Sequence, residues 1–213
     1  MTIDDLKSRL EACNHPLLVG PLAKALPSSD HDLVIYVDGG EKLRSASSGQ
    51  PSLSVGDGDS SKTGASLDFK IPTEKDFSDL AFVLNHLPKA IRSVKLVGFI
   101  GGRLDHQLAV FGEVYYFLKR VKADHVIFDD QQLIFLDSGA HDLNIRGQFS
   151  VMAFEACEVR LTGKVKYPID PVSTIQPMSS FGLSNIGSGQ IKIENSDPLL
   201  VIQGRASQDR LPL

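Results

Sequence analysis

Three apolar runs in the first half of the chain each end on a corner of glycine and charge. Leu33-Val34-Ile35-Tyr36-Val37 runs into Asp38-Gly39-Gly40, Leu53-Ser54-Val55 into Gly56-Asp57-Gly58-Asp59-Ser60, and Val94 to Ile100 into Gly101-Gly102-Arg103-Leu104-Asp105-His106. A short apolar run bounded by glycines reads as a strand buried on both faces. Helix-period segments alternate with these runs. Thr2–Cys13 puts Ile3, Leu6 and Leu10 on one stripe, Asp76–Leu87 does the same with Phe77, Leu80, Val83 and Leu84, and Gln107–Val121 continues the pattern. Leu17-Leu18-Val19-Gly20 and Val126-Ile127-Phe128 supply two further strands. Such alternation predicts an α/β domain with a Rossmann-like, largely parallel sheet, since parallel neighbours need a crossover between them. Ligands of an open α/β sheet bind outside the carboxyl ends of its strands, so the three corners are expected on one edge.

The pattern changes after about Leu133. Helical periodicity stops, and short apolar segments separated by turn residues take over: Leu133–Leu136, Leu143–Ile145, Phe149–Ala153, Val159–Leu161, Ile191–Ile193 and Leu199–Ile202. This spacing predicts a small all-β sandwich or barrel behind a boundary near 135–145, giving domains 1–140 and 141–213. Ser60 to Leu67 reads as a mobile loop and Arg205 to Leu213 as a loose tail.

Composition excludes several classes. The net charge of −4 and a pI near 5.8 argue against a general nucleic-acid binder, which needs a basic surface. Cys13 and Cys157 stand far apart with no Cys/His cluster, which argues against zinc and fits a reducing compartment. The acidic N-terminus lacks a signal-type apolar segment, and no apolar run reaches the length of a membrane span. A cytoplasmic protein is expected.

The acidic residues sit where chemistry is expected. Asp38, the pair Asp57 and Asp59, and Asp105 lie at strand ends, and Asp76 with Asp79 at a helix start. Any one of them fits a turn or a cap. Together on one sheet edge they would repel one another unless a cation compensates them. Hard oxygen ligands suit Mg²⁺, which commonly takes one or two carboxylates plus substrate phosphates. The Arg103 guanidinium, with His106 beside it, matches phosphate oxygens. Gly56 to Thr63, GDGDSSKT, stands one residue from a phosphate-binding loop, with Ser61 at the second glycine position. Two aspartates inside it and the lack of a following helix argue against that role, although Lys62 could reach a phosphate.

In family order, Asp38-Gly39-Gly40, Gly56-Asp57-Gly58-Asp59-Ser60, Asp76-Phe77-Ser78-Asp79, Gly101-Gly102-Arg103-Leu104-Asp105-His106, Lys166-Tyr167-Pro168 and Ser180-Phe181-Gly182-Leu183-Ser184-Asn185 resemble the motifs of the thiamine pyrophosphokinases. The resemblance spans Asp38 to Asn185. It implies Mg²⁺-dependent transfer of pyrophosphate from ATP, the co-substrate, to the thiamine hydroxyl, with AMP released. It implies Asp57, Asp59 and Asp79 as metal ligands, and Asp57, Asp79, Arg103 and Asp105 as catalytic. Asp38, Gly39, Gly40, Ser60, Ser78, Arg103, Asp105 and His106 would line the nucleotide site, and Ser184, Asn185 and Phe181 the thiamine site. A homodimer with a shared active site follows from the same source. The chain departs from the pattern at Gly58, where a bulky residue is common, and in having no Trp to stack on thiamine; Phe181 or Tyr167 could substitute. A pyrophosphokinase for another hydroxymethyl heterocycle, such as a pterin, and a non-catalytic nucleotide-binding protein are the competing readings.

Overall fold

The computed structural model describes residues 1–27, 31–46, 49–59, 67–89, 91–128 and 132–204. The chain divides into two compact units, Met1–Gln131 and Gln132–Leu213. The division falls ahead of the expected 135–145 break because Leu133–Leu136 pairs antiparallel with Leu199–Gln203. Ser60, Lys62, Asp129, Asp130 and the Arg205–Leu213 tail lie outside the described residues.

In the first unit the strands are β1 (Pro16–Val19), β2 (Leu33–Val37), β3 (Ser52–Gly56), β4 (Phe69–Lys70), β5 (Ser93–Val97) and β6 (His125–Phe128). All pairings among them are parallel, in the order β6-β5-β1-β2-β3-β4. Every residue of β1 and β2 is buried, as a sheet covered on both faces requires. Leu17, Val19, Val34 and Tyr36 pack with Ala23 and Val97 into one cluster. Each large side chain so buried contributes about 1.5–3 kcal/mol relative to exposure. From β1 the chain steps one way to β2, β3 and β4, and later crosses to β5 and β6 on the other side. The sheet therefore reverses between β1 and β5. Gly20 N donates to Val97 O at 2.8 Å and Leu22 N to Gly98 O at 3.0 Å, so the loops leaving β1 and β5 are bonded to each other.

The helices are α1 (Ile3–Glu11), α2 (Asp79–His86) and α3 (Leu104–Arg120). Thr2 and Asp5 form a reciprocal capping box on α1; Leu6 and Leu10 are buried while Ile3, expected beside them, is exposed. α2 begins later than the periodicity suggests, because the Ser78 Oγ accepts the Ala81 N–H at 3.0 Å and caps the helix there. Phe77 is thus left outside, exposed, with its ring 5.9 Å from that of Phe82. α3 begins earlier than expected, after an extended Arg103, which puts Asp105 and His106 in its first turn. β5 stops at Val97 rather than Ile100, since Gly98 turns the backbone to φ +73°. Asp38–Ala46 forms a 3₁₀ run.

The second unit holds β7 (Leu133–Leu136), β8 (Gly139–Ala153), β9 (Cys157–Val165), β10 (Ile169–Ile175), β11 (Asn185–Asn195) and β12 (Leu199–Gln203). Pairing is antiparallel throughout, in the order β10-β9-β11-β8-β12-β7, so the ladder does not close on itself among the described residues. The two segments expected at Leu143–Ile145 and Phe149–Ala153 are one strand, because Gly147 stays in register opposite Gly187. β10 escaped the sequence pattern: it carries Pro171 and, among the described residues, pairs only with β9, the position where a sheet tolerates a residue without an N–H. Burial alternates along β11, with Ile145, Phe149, Val159, Leu161, Ile191 and Ile193 among the residues of one core.

Candidate active site

The carboxyl ends of the parallel strands open into a cleft of about 760 Å³, built wholly from the first unit. It lies where the strand order reverses, the usual ligand position of an open α/β sheet. Asp38, Asp57, Asp59, Ser78, Asp79, Arg103, Asp105 and His106 all line it. Each is delivered by a different local device. Asp38 ends β2 in a left-handed conformation, φ +51°, which a non-glycine residue adopts at a cost of order 1–3 kcal/mol. Asp57 and Asp59 follow β3, and the Asp59 N–H donates to Asp57 Oδ1 at 3.1 Å. Asp79 opens α2 behind its Ser78 cap.

Carboxylate oxygens of Asp38, Asp57 and Asp59 come within 4.8 Å of one another. Three anionic oxygen donors this close fit a hard divalent cation of the Mg²⁺ type, and nothing in the set suits a soft metal. This cluster overlaps the expected ligand set in Asp57 and Asp59. Asp38 stands with them, and Asp79, also expected as a ligand, lines the same cleft with its Oδ1 3.0 Å from Lys75 Nζ, which lies 2.8 Å from Asp57 Oδ2. Lys75 went unnoticed in the sequence. The only signal it left was its position four residues before Asp79, in a stretch that is not helical.

Electrostatics separate the two carboxylates on that lysine. The hydrogen bond from Lys75, helped by the Asp59 N–H, holds the Asp57 carboxyl below the usual range against the cost of its burial. Burial pushes Asp79 the other way, and the neighbouring charges of Asp57 and Asp38 add to it, so the bond from Lys75 does not bring it down. Burial alone would depress the Lys75 ammonium, but Asp57 and Asp79 outweigh it and hold the ammonium above its ordinary value.

Also lining the cleft, Arg103 makes a two-pronged contact with Asp105, Nε to Oδ1 at 3.1 Å and Nη2 to Oδ2 at 2.5 Å. The Asp105 carboxylate also accepts the His106 N–H at 3.0 Å. These bonds, with that from Arg103 the largest, hold Asp105 below the usual carboxylate range and raise Arg103 above its own. Both side chains are exposed, 74% and 62%, so the pair orients the guanidinium without burying it. The two expected glycines lie in the 3₁₀ run that follows β2. Gly40 is buried, and a Cβ there would stand 2.0 Å from the Val19 carbonyl oxygen, so the glycine lets the 3₁₀ run pass β1. Gly39 precedes it in the same run.

The remaining expected residues belong to the second unit. Asn185 is buried, and its side chain is committed: Oδ1 accepts from Tyr167 N at 3.0 Å and Ile186 N at 2.8 Å, and Nδ2 donates to Tyr167 O at 2.6 Å. It clamps the Lys166-Tyr167-Pro168 turn. Ser184 has φ +59°, and its Oγ accepts from Gln148 Nε2 at 3.2 Å. Phe181, Leu183, Tyr167 and Ile186 expose apolar surface in the same unit.

Residues 26–128 match the model of the thiamin pyrophosphokinase catalytic domain. The fold is similar to the thiamine pyrophosphokinase of Bacillus subtilis, 22% identical, with 90% of this chain and 99% of that one covered and a TM-score of 0.68. The Candida albicans thiamin pyrophosphokinase matches at 13% identity over 91% and 89% of the two chains, TM-score 0.67. The yeast enzyme matches at 16% identity over 94% and 89%, TM-score 0.62. No curated protein sequence matches the chain significantly. At these identities the solved structures establish the fold alone.

Proposed function

We propose that this chain, whose residues 26–128 match the thiamin pyrophosphokinase catalytic domain, is an enzyme of that family, and that its cleft binds ATP with Mg²⁺ and transfers the terminal pyrophosphate to the thiamine hydroxyl, releasing AMP. One observation carries the reading of the site: five carboxylates, one lysine and an oriented arginine converge on a single cleft at the reversal point of the sheet. Asp38, Asp57 and Asp59 would hold the cation, which when bound neutralises developing phosphate charge. Phosphoryl-type transfer asks mainly for positioning and electrostatic stabilisation, and the chain's residues offer both. Arg103, kept in orientation by Asp105, presents its free edge to phosphate oxygens. Ser78 and Asp79 fix the start of α2 beside the carboxylates.

For the acceptor, the reading assigns Phe181, Tyr167 and Ser184 to contact with thiamine, and Asn185 to holding Tyr167 in place. The support is the exposed aromatic and aliphatic surface in the unit that holds Ser184 and the three hydrogen bonds of the Asn185 amide. A homodimer with a shared site belongs to the same proposal. Mixing a chain disabled at Asp57 with one disabled at Asn185 restores part of the activity if it holds. As to architecture, the parallel unit is read as Rossmann-like, supported by its strand reversal, and the antiparallel unit as a sandwich, supported by the one-sided burial of β11. No helix among the described residues is long and apolar enough to cross a membrane; a cytoplasmic site of action is proposed.

A coupled assay of AMP release, run with Mg²⁺ and ATP over thiamine and a hydroxymethyl pterin, tests the reaction. AMP release dependent on thiamine and on Mg²⁺ is expected. Release with the pterin alone, or none with either acceptor, overturns it.

A further inference from the structure

Lys75 occupies a singular place in the cleft. Its Nζ bridges Asp57 at 2.8 Å and Asp79 at 3.0 Å, and the three side chains are only 9%, 12% and 11% exposed. Asp57 is at the same time one of the three carboxylates whose oxygens lie within 4.8 Å of one another. One carboxylate is therefore shared between a fixed internal cation and the place suited to an exchangeable one. Without the lysine, Asp38, Asp57, Asp59 and Asp79 would line the cleft with no ammonium among them. Such a cleft would draw in a bare divalent cation and repel a polyphosphate, whose own charges are negative. With it, two of the carboxylates are already paired, and one of the three ammonium hydrogens is left over from those two bonds.

We propose that Lys75 is a positioning residue that acts as the resident counter-cation of Asp57 and Asp79, setting the cleft to take a divalent cation together with a nucleotide polyphosphate in preference to the cation alone. The inference rests on the Mg²⁺–nucleotide reading of the cleft. It goes further in predicting that the two ligands respond in opposite directions to the loss of one side chain. A lysine that only braced the fold would move both affinities the same way or neither.

The test uses the full chain and calorimetric titration with two probes: Mn²⁺ alone, and α,β-methylene-ATP in saturating Mg²⁺. In Lys75→Met and Lys75→Gln, Mn²⁺ alone is expected to bind about threefold tighter and the analogue about tenfold more weakly, because one positive charge has left a cluster of carboxylates. Lys75→Arg, which keeps the charge, should return both affinities most of the way to wild type. Asp79→Asn removes a negative charge from the same bridge and should shift the two affinities in the reverse sense. That variant keeps the test decisive if the apolar substitution fails to fold, which melting in EDTA reports. Parallel shifts, unchanged affinities, or weaker Mn²⁺ binding in the neutral variants overturn the inference. If wild type itself does not bind the analogue, the parent reading falls with it; if wild type binds and the variants do not split, only the role of Lys75 falls.

Discussion

Gly98→Ala tests the corner on which the cleft is built. Gly98 turns β5 towards the site at φ +73°, and its carbonyl accepts the Leu22 N–H at 3.0 Å. An alanine there pays the left-handed penalty of about 1–2 kcal/mol. Its Cβ would also stand 2.1 Å from Ala23 N and 2.5 Å from Ala23 Cα, both backbone atoms, so the clash cannot be relieved by a side-chain rotation. Forcing packed backbone apart costs about 1–3 kcal/mol more. Reduced freedom of the unfolded chain returns about 0.4–1 kcal/mol. A net loss of about 2–4 kcal/mol follows, and at about 2–4 °C per kcal/mol for a chain of this size the melting temperature should fall by roughly 5–15 °C. Two other glycines separate the causes. Gly101 has φ +102° but no atom within 4 Å of an added Cβ, so Gly101→Ala carries strain alone, about 1–2 kcal/mol. Gly112 lies inside α3 with open space around it, so Gly112→Ala should stabilise by about 0.5–1 kcal/mol. Thermal and urea melts followed by circular dichroism read all three. A Gly98→Ala melt within about 2 °C of wild type, or a Gly101→Ala variant equally damaged, would refute the clash argument.

Three further outcomes are expected. Asp57→Asn should abolish Mg²⁺-dependent AMP release while leaving the circular dichroism spectrum unchanged; near-normal turnover at ordinary Mg²⁺ would remove Asp57 from the cation site. Arg103→Lys should weaken nucleotide binding although the charge is kept, because an ammonium cannot reproduce the two-pronged contact with Asp105. In the same variant the Asp105 carboxyl, now held below its ordinary value, should titrate closer to that value by NMR. The sign follows: the Arg103 pairing is present above the ordinary carboxylate pKa and lost as pH falls through the depressed one, and an unmoved titration would contradict it. Asn185→Ala removes the partner of three hydrogen bonds at the Tyr167 turn, two of whose donors are the Tyr167 and Ile186 N–H groups, and should cost about 2–4 kcal/mol in urea melts; a wild-type midpoint would make Asn185 a ligand contact rather than a clamp.

The alternation of apolar runs with helix-period segments, and its end near Leu133, is local information: each residue's hydrophobicity and each corner's glycines are present in the chain before it folds. The parallel sheet, the change to antiparallel pairing and the convergence of Asp38, Asp57, Asp59 and Asp79 on one edge were therefore legible in the sequence. The helix boundaries were less so. Ser78 starts α2 by a hydrogen bond that competes with the periodicity of Phe77, and Pro171 hides β10 because an edge position cannot be read from one strand alone. What the sequence could not disclose is which groups answer each other across the fold. Lys75 is one ordinary lysine among 22 basic residues until β3 and the start of α2 bring Asp57 and Asp79 to it. The bonds between the Asn185 amide and Tyr167, 18 residues away, belong to the fold and not to the local sequence. The Val19 carbonyl against Gly40 is likewise seen only in the folded chain. A side chain's partner depends on distances between segments remote in sequence, and those distances exist only once the sheet has closed its register.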